Sequence, residues 1–330
     1  MVDVPEFADV KEAAARIAPY AVRTPMVESP VLGAMRGGSR VFLKLESLQR
    51  TGSFKFRGAA NRILMIPKDQ RAAGVVAFSS GNHAQAVAAV AQLLKIPALI
   101  VMPGDAPKAK IEGTRAFGAE IVSYDRVRDD REAIAQRICR ERGATLIKPY
   151  DDPQVMAGQG TVGLEIAEDA ARRGVALDAV AAPCSGGGLV TGIALALKGA
   201  GVAAFVHSVE PENFDGMRRS LEAHTRSTAP GTSKGGKLSI ADALMAPTPG
   251  HHVFAAADGL LAPGLVVTDA ELVRAVAFAA AKLKLVVEPG GAAALAAFLA
   301  GKIECRTVVL VISGGNADFA TVADAVKASA

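Results

Sequence analysis

The chain has 330 residues, half of them hydrophobic, and its 37 basic and 33 acidic residues give a net charge of +4. This length is large for one layered core and suits two α/β lobes. The basic residues form no runs, which argues against attraction to nucleic acid. No apolar segment approaches the roughly 18 residues of a membrane span. We therefore expect neither a nucleic-acid nor a membrane partner.

Three cysteines, Cys139, Cys184 and Cys305, form an odd set without metal-ligand spacing. This pattern argues against a disulfide framework and favours a reducing compartment. The N-terminal segment lacks the basic and apolar blocks of a secretory signal. We therefore expect a cytoplasmic enzyme.

Short β-rich runs alternate with helical patterns along almost the whole chain, which predicts parallel sheets built from βαβ units. Helices are predicted at Asp130–Arg142 and at Leu272–Leu283, the second preceded by a capping box from Thr268 to Glu271. Strands are predicted at Val41–Leu45, Val75–Phe78, Ala98–Met102, Glu120–Ser123, Ala179–Ala182, Phe205–Val209 and Thr307–Ile312.

No low-complexity linker divides the chain into consecutive domains, whereas compact β/α segments follow one another from about residue 74 to residue 150. We therefore expect one lobe to be inserted in the other. Residues 1–73 and 151–330 would form a large domain, and residues 74–150 a small inserted α/β domain.

Lys55 lies between Phe54 and Phe56 at the predicted start of a helix. Apolar neighbours disfavour the charged ammonium group and free the amine to form a Schiff base. Taken alone, the segment also fits a half-buried lysine whose stem packs while its ammonium group reaches water.

The predicted strand Val75–Phe78 is followed by a turn at residues 79–83 and then by a helix of small residues that extends to about Leu94. Such a turn points backbone amides and the positive helix end at an anion, for example a substrate carboxylate. Asn82 could also offer its amide to a ring oxygen. The alternative is a plain turn at Gly81 and Asn82 with Ser80 as a helix cap.

A second strand-to-helix turn, residues 183–189, joins Ala179–Ala182 to a predicted helix at Val190–Leu197 and contains three adjacent glycines. Glycines allow several main-chain amides to converge on one phosphate group. The segment has neither the Gly-Lys-Ser/Thr of a nucleotide P-loop nor the GxGxxG spacing of a dinucleotide site. A close-packed helix start is the alternative.

Ser313 directly follows the predicted strand Thr307–Ile312. Ligands collect at the carboxyl ends of parallel strands, where this hydroxyl could meet a ring nitrogen. Glu288 could bring a carboxylate to the same crevice, or could be a charge at a helix N-terminus.

These segments, in this order over residues 47–318, resemble the fold-type II pyridoxal-phosphate enzymes, especially the threonine/serine dehydratase and serine racemase family. The resemblance implies a tryptophan synthase β-like α/β fold with two open, twisted, mostly parallel sheets and flanking helices. It also implies pyridoxal 5′-phosphate as cofactor, a small amino acid as substrate and a homodimer.

The same resemblance implies the role of each site residue. Lys55 would bind the cofactor as a Schiff base, Asn82 would bind its ring oxygen, and Ser313 would face its pyridine nitrogen. The implied cofactor contacts are Phe54, Lys55, Asn82, Ser185, Gly186, Gly187, Gly188, Leu189, Glu288, Ser313 and Gly314, and the implied substrate contacts are Ser79, Ser80, Gly81, Asn82 and His83.

By resemblance, the activity would be α,β-elimination from a β-hydroxy amino acid such as L-threonine or L-serine, giving a 2-oxo acid and ammonia. Lys55 would be the catalytic base. Ser80 keeps a serine-type racemase open, because inversion requires a second acid or base on the other face of Cα. A dehydratase specific for 3-hydroxyaspartate and a non-catalytic binder also stay open.

A divalent-cation site is a further feature of the racemase branch. Glu210 stands at the expected position, but Asp215 is one residue early, because the sixth position after Glu210 is Gly216. The two carboxylates could bind Mg²⁺ or Ca²⁺, or could be a carboxylate pair at the start of a helix.

Overall fold

The computed structural model describes residues 2–106, 108–126, 128–232 and 238–329, and it alternates strands and helices along the chain. The strands in this described part are β1 (Met26–Glu28), β2 (Arg40–Leu45), β3 (Val75–Phe78), β4 (Ala98–Pro103), β5 (Glu120–Tyr124), β6 (Thr145–Leu146), β7 (Ala179–Pro183), β8 (Phe205–Pro211), β9 (Ala262–Val267) and β10 (Thr307–Ile312).

Helices of very different length connect these strands. Those described are α1 (Phe7–Ile17), α2 (Pro30–Ala34), α3 (Lys55–Leu64), α4 (Asn82–Leu94), α5 (Lys108–Arg115), α6 (Arg131–Arg142), α7 (Pro153–Arg172), α8 (Gly188–Gly199), α9 (Gly216–Ala223), α10 (His251–Ala257), α11 (Asp269–Phe278), α12 (Ala293–Leu299) and α13 (Phe319–Ala328).

The larger sheet has the order β1-β2-β10-β7-β8-β9, in which β1 is antiparallel to β2 and the other neighbours are parallel. Its central strand β10 is almost wholly buried and reads as a continuous apolar run, as expected for a parallel strand covered on both faces. Separate hydrophobic clusters fill the two faces of this sheet. The chain segment after β10 therefore begins near the middle of the large lobe.

The smaller sheet has the order β5-β4-β3-β6 and is entirely parallel. All its strands fall between β2 and β7 in the sequence, and two further hydrophobic clusters cover it. This distribution supports the inserted domain proposed for residues 74–150, although the exact boundaries stay a prediction. The predicted α/β class with two mostly parallel sheets and flanking helices is confirmed.

Most of the predicted elements are present with small differences at their ends. The strands predicted at Val75–Phe78 and Thr307–Ile312 have the predicted bounds. The helix predicted at Leu272–Leu283 begins earlier, at Asp269, because the Thr268 capping box starts the helix directly, and its last turn is a π-helix. The sequence reasoning missed β1, β6 and β9, because these strands are short or contain Pro and Gly.

Two helices next to the lysine segment cross at unusually close range. A Cβ atom on Gly158 of α7 would lie 2.7 Å from the Cα atom of Gly58 and 2.8 Å from the carbonyl oxygen of Arg57, both in α3. Since real Cβ contacts do not come this close, both crossing positions require glycine. The position of α3 is thus fixed by backbone contact with α7.

A buried group of four charged side chains, Lys44, Glu46, Arg57 and Glu165, also joins β2, α3 and α7. Arg57 donates to Glu46 at 2.8 Å and to Glu165 at 2.7 Å, and Lys44 donates to Glu165 at 2.5 Å. Burial alone would raise the pKa of Glu46, but the charge and hydrogen bonds of Arg57, together with Lys44 and Thr24, hold the pKa below its usual value. The two positive and two negative charges neutralise each other away from water.

Candidate active site

The lysine segment enters α3 through a tight turn. Thr51 and Gly52 both have left-handed backbone conformations, with φ angles of 60° and 71°, and Ser53 forms an isolated bridge with Gly314. The amide of Phe54 then donates to the carbonyl oxygen of Ser313. The chain before Lys55 is therefore bonded directly to the end of β10.

The amine of Lys55 lies in an apolar setting, as predicted. Its Nζ is 5.1 Å from the centre of the Phe54 ring and donates to the carbonyl oxygen of Pro149 at 2.6 Å. Burial lowers the pKa of Lys55 from 10.5 to about 8. Near neutral pH, a larger fraction of Lys55 therefore carries a neutral, nucleophilic amine than an exposed lysine does.

A cavity of about 190 Å³ opens between the two sheets in front of Lys55. It brings together nearly all the site residues predicted from the sequence. Those that line it are Phe54, Lys55, Ser79, Ser80, Gly81, Asn82, His83, Ser185, Gly186, Gly187, Gly188, Leu189, Glu288 and Ser313.

The glycine turn between β7 and α8 has little room for side chains. A Cβ on Gly186 would lie 2.3 Å from the ring of Tyr150, and one on Gly187, whose φ is +93°, would lie 2.4 Å from Met217. The first turn of α8 begins at Gly188, and Gly186 to Leu189 line the cavity, so the free amides of a helix start lie at the cavity wall. The hydroxyl of Ser185 accepts from the amide of Ala246 and keeps its own proton to donate. This cradle fits a phosphate group.

The turn between β3 and α4 carries the residues predicted to bind a carboxylate. The amide of Gly81 donates to Ser79, and nothing lies within 4 Å of the position of a Cβ on Gly81. Burial, aided by the charge of Lys55, lowers the pKa of His83 to about 3, so His83 does not offer a positive charge to a ligand. Its Nε2 lies 2.9 Å from the carbonyl oxygen of Ile147, so this nitrogen carries the proton. The ring of His83 is therefore neutral and faces the protein.

Glu288 and Asn82 meet at another part of the cavity wall. The Asn82 side-chain nitrogen donates to Glu288 at 2.6 Å. Burial raises the pKa of Glu288 to about 7, against the opposing effect of this hydrogen bond. Gly314 lies behind them rather than on the cavity wall, and a Cβ there would lie 2.0 Å from the Glu288 carboxylate. Gly314 thus makes room for Glu288.

The cavity wall also includes polar side chains that the sequence reasoning did not assign to the site. They are Lys110, Arg131, Tyr150, Gln159 and Asp242. Lys110 of α5 and Asp242 of a turn in the large lobe form an ion pair of 2.5 Å. The Arg131 guanidinium lies 5.5 Å from the centre of the Phe78 ring. No local pattern marks these residues, because the two lobes bring them together only in the folded chain.

Glu210 and Asp215, the residues considered for a cation, lie outside the cavity. Glu210 accepts from the amides of Met217 and Arg218, both at 2.8 Å, and burial raises its pKa to about 8. Asp215 accepts from Arg218 and Arg219. Among the described residues there is no group of three or more His, Cys, Asp or Glu side chains suited to a metal ion.

A nucleophilic lysine, a glycine cradle for a phosphate and a donor turn on the facing lobe together define an α/β enzyme site that fits pyridoxal phosphate. The family model described as pyridoxal-phosphate dependent enzyme matches residues 17–314. The chain belongs to this family.

Individual proteins agree with this assignment. An L-threo-3-hydroxyaspartate ammonia-lyase of Pseudomonas sp is 42% identical over 323 residues, 97% of this chain and 98% of that protein. The crystal structure of a threonine deaminase from T.th. matches with a TM-score of 0.89 and 42% identity, covering 96% of this chain and 99% of that one. Maize serine racemase matches with a TM-score of 0.90 and 36% identity, covering 99% and 98%.

Proposed function

We propose that this protein is a dehydratase of the ammonia-lyase type that acts on a β-hydroxy amino acid such as L-threonine or L-serine. The observation that carries the proposal is the amine of Lys55, whose pKa is lowered to about 8, at the wall of a cavity that also holds a phosphate cradle. The threonine deaminase and ammonia-lyase relatives support it.

The residues of the site divide into three roles. Lys55 would bind the cofactor covalently, the turn from Ser185 to Leu189 would hold its phosphate, and Asn82, Glu288 and Ser313 would contact its ring. When bound, pyridoxal phosphate supplies an electron sink for negative charge at the Cα atom of an amino acid. The hydroxyl of Ser313, unlike a carboxylate, does not hold a ring nitrogen in its protonated form, which favours prompt loss of a β-leaving group.

In this proposal the freed amine of Lys55 removes the proton from the substrate Cα. The β-hydroxyl group then takes up a proton, which balances the one removed by Lys55, and leaves as water. The resulting unsaturated amine takes up one water and releases ammonia, which leaves a 2-oxo acid. Backbone amides of the turn from Ser79 to His83 would hold the substrate carboxylate, since the neutral ring of His83 is bonded to Ile147.

The decisive experiment replaces Lys55 with Ala in the cofactor-loaded enzyme. We expect the visible absorption band and ammonia release from β-hydroxy amino acids to disappear, and borohydride to label no residue of the variant. Lys198→Ala, at an exposed position of α8, is the control and should keep both. A band or turnover that persists in Lys55→Ala would refute the assignment.

Racemisation is the rival activity for which Ser80 supplies a candidate acid on the cavity wall. The resemblance to maize serine racemase keeps this rival in view. The chirality of substrate recovered from the same reaction decides between the two activities. Unchanged configuration beside accumulating 2-oxo acid supports the dehydratase, whereas inversion without ammonia would replace it by the racemase.

A second candidate substrate is 3-hydroxyaspartate, which carries an additional carboxylate. Besides Lys55, the basic side chains of Lys110 and Arg131 line the cavity, and no ion pair joins Arg131 to a carboxylate among the described residues. A cation facing a partly buried site favours an anionic side chain on the substrate. The Pseudomonas relative is named for this substrate.

Replacing Arg131 with Gln tests this specificity. If Arg131 meets the second carboxylate, kcat/KM for 3-hydroxyaspartate should fall about tenfold or more, the effect of one lost charge-assisted hydrogen bond, with little change for threonine. Arg137→Gln on the same helix, where Arg137 pairs with Glu141 away from the cavity, is the matched control. Equal losses for both substrates would contradict the role.

The homodimer rests on the family resemblance of the sequence, and the cytoplasmic location on the cysteine pattern and the N-terminal segment. None of the described helices combines the length and apolar character needed to cross a membrane. For the cation, the amides and arginines that already bind Glu210 and Asp215 favour a carboxylate pair at the start of α9 over a Mg²⁺ or Ca²⁺ site.

A further inference from the structure

We propose that Asn316 is a positioning residue that fixes the side-chain amide of Asn82 with its nitrogen, rather than its oxygen, toward Glu288 and the cavity. The inference deepens the proposed function and rests on it, because the acceptor that would meet this nitrogen is the bound cofactor. Asn316 does not line the cavity itself and would act only through Asn82.

The side-chain amide of Asn316 has a defined orientation. Its side-chain nitrogen lies 2.7 Å from the carbonyl oxygen of Thr51 and 2.8 Å from the side-chain oxygen of Asn82. A backbone carbonyl can only accept, so the amide nitrogen of Asn316 must face Thr51. Both hydrogens of this nitrogen are then used, one by Thr51 and the other by Asn82.

The orientation of Asn316 fixes that of the Asn82 side chain. Because the oxygen of Asn82 accepts from Asn316, its nitrogen must lie on the other side, where it donates to Glu288 at 2.6 Å. An amide nitrogen carries two hydrogens, and Glu288 takes one. The second is available to an acceptor in the cavity that Asn82 lines.

The surrounding backbone holds the side chain of Asn316 in place. Thr51, which supplies the accepting carbonyl, has a left-handed φ of 60°, a costly conformation for a residue with a Cβ. A Cβ on the next residue, Gly52, would lie 2.3 Å from the side-chain oxygen of Asn316. The amide of Gly315 donates to the carbonyl of Gly52 at 2.9 Å. The lysine turn and the terminal turn therefore clamp Asn316 between them.

Without Asn316, the amide of Asn82 would lose one of the two bonds that distinguish its ends and would keep only the bond to Glu288. It could then rotate by 180° and present its oxygen to the cavity and to Glu288. An oxygen facing an oxygen of the cofactor repels it instead of donating to it. The specific consequence is weaker cofactor binding that depends on the presence of Asn82.

A double-mutant cycle with Asn316→Ala and Asn82→Ala tests the proposal, with pyridoxal phosphate as the probe and visible absorbance of the reconstituted enzyme as the readout. Each single variant should weaken cofactor binding by roughly five- to fiftyfold, the effect of about one hydrogen bond. In the double variant, Asn316→Ala should add nothing to the loss caused by Asn82→Ala. Multiplying losses, or an unchanged affinity in Asn316→Ala, would overturn the proposal.

Two further variants separate positioning from stability. Thr268→Ala removes a partly buried side-chain hydrogen bond at the N-cap of α11, a helix that does not line the cavity, and should lower the melting temperature without changing cofactor affinity. If Asn316→Ala does not fold, Asn316→Asp keeps the shape but can only accept, and should weaken binding in the same Asn82-dependent way. A wild-type protein without a visible band would refute the proposed function itself, whereas a normal band with independent losses refutes the positioning role alone.

Discussion

At the scale of single residues, the pKa of Lys55 is lowered by removal of water and not by a neighbouring charge. Burial lowers its pKa to about 8, and its hydrogen-bond partner is the neutral carbonyl of Pro149. The same burial makes the protonated amine unfavourable in the folded protein, so the chemistry of this site has a cost in stability.

This cost predicts that Lys55→Met stabilises the protein freed of cofactor. Below pH 8 the lysine is protonated in both states, and its burial reduces the free energy of unfolding by on the order of 1–3 kcal/mol. As the pH rises from about 8 toward 10.5, the folded state releases its proton before the unfolded state does, so wild type regains stability. Denaturant unfolding at several pH values between 7 and 10 measures the difference.

The control for this experiment is Lys198→Met, at an exposed position, for which we expect no pH-dependent difference from wild type. A Lys55→Met variant that is less stable than wild type at pH 7, or whose advantage grows as the pH rises, would show that burial does not disfavour the charged amine.

At the scale of elements, the crossing of α3 and α7 determines where Lys55 lies. Gly58 and Gly158 allow the two backbones to touch, and a Cβ on Gly158 would lie within 3 Å of three atoms of α3. The first residue of α3 is Lys55 itself, so a displacement of this helix displaces the amine.

We therefore expect Gly158→Ala to lower the free energy of unfolding by about 1–3 kcal/mol, the usual cost of overpacking, and also to weaken cofactor binding. Thermal unfolding and absorbance titration measure the two effects. Gly104→Ala, where the nearest atom lies 3.8 Å from the added Cβ, is the matched control and should change neither. Loss of stability with unaltered cofactor affinity would show that α3 is not positioned in this way.

At the scale of the whole molecule, the site exists only where the two lobes meet. Asn82 belongs to the helix that follows β3 of the small sheet, whereas Ser313 and the glycine turn follow strands of the large sheet. The Lys110–Asp242 ion pair joins α5 to the large lobe across the cavity. Because its side chains are partly exposed, it adds little stability.

The sequence predicts some residues of the site and misses others because the site lies where the two lobes meet. The three glycines from Gly186 to Gly188 are readable because their turn needs that residue type, and Lys55 and Asn82 because apolar neighbours and a strand-to-helix turn single them out. Tyr150 is not readable in this way, since its place at the cavity depends on packing between lobes that no spacing encodes. The role of Asn316 likewise depends on a contact with Asn82, 234 residues away.

The buried quartet of Lys44, Glu46, Arg57 and Glu165 constrains how this sequence can be recombined. Three of its members lie in the first 60 residues and the fourth in α7, after the whole small lobe. A chimera that joins the N-terminal segment to the C-terminal part of a relative lacking the matching carboxylate would bury an uncompensated positive charge. This would cost about 3–5 kcal/mol, a large share of the stability of many proteins. Chimeras with a crossover between these two segments are therefore expected to fold only if all four residues come from the same parent.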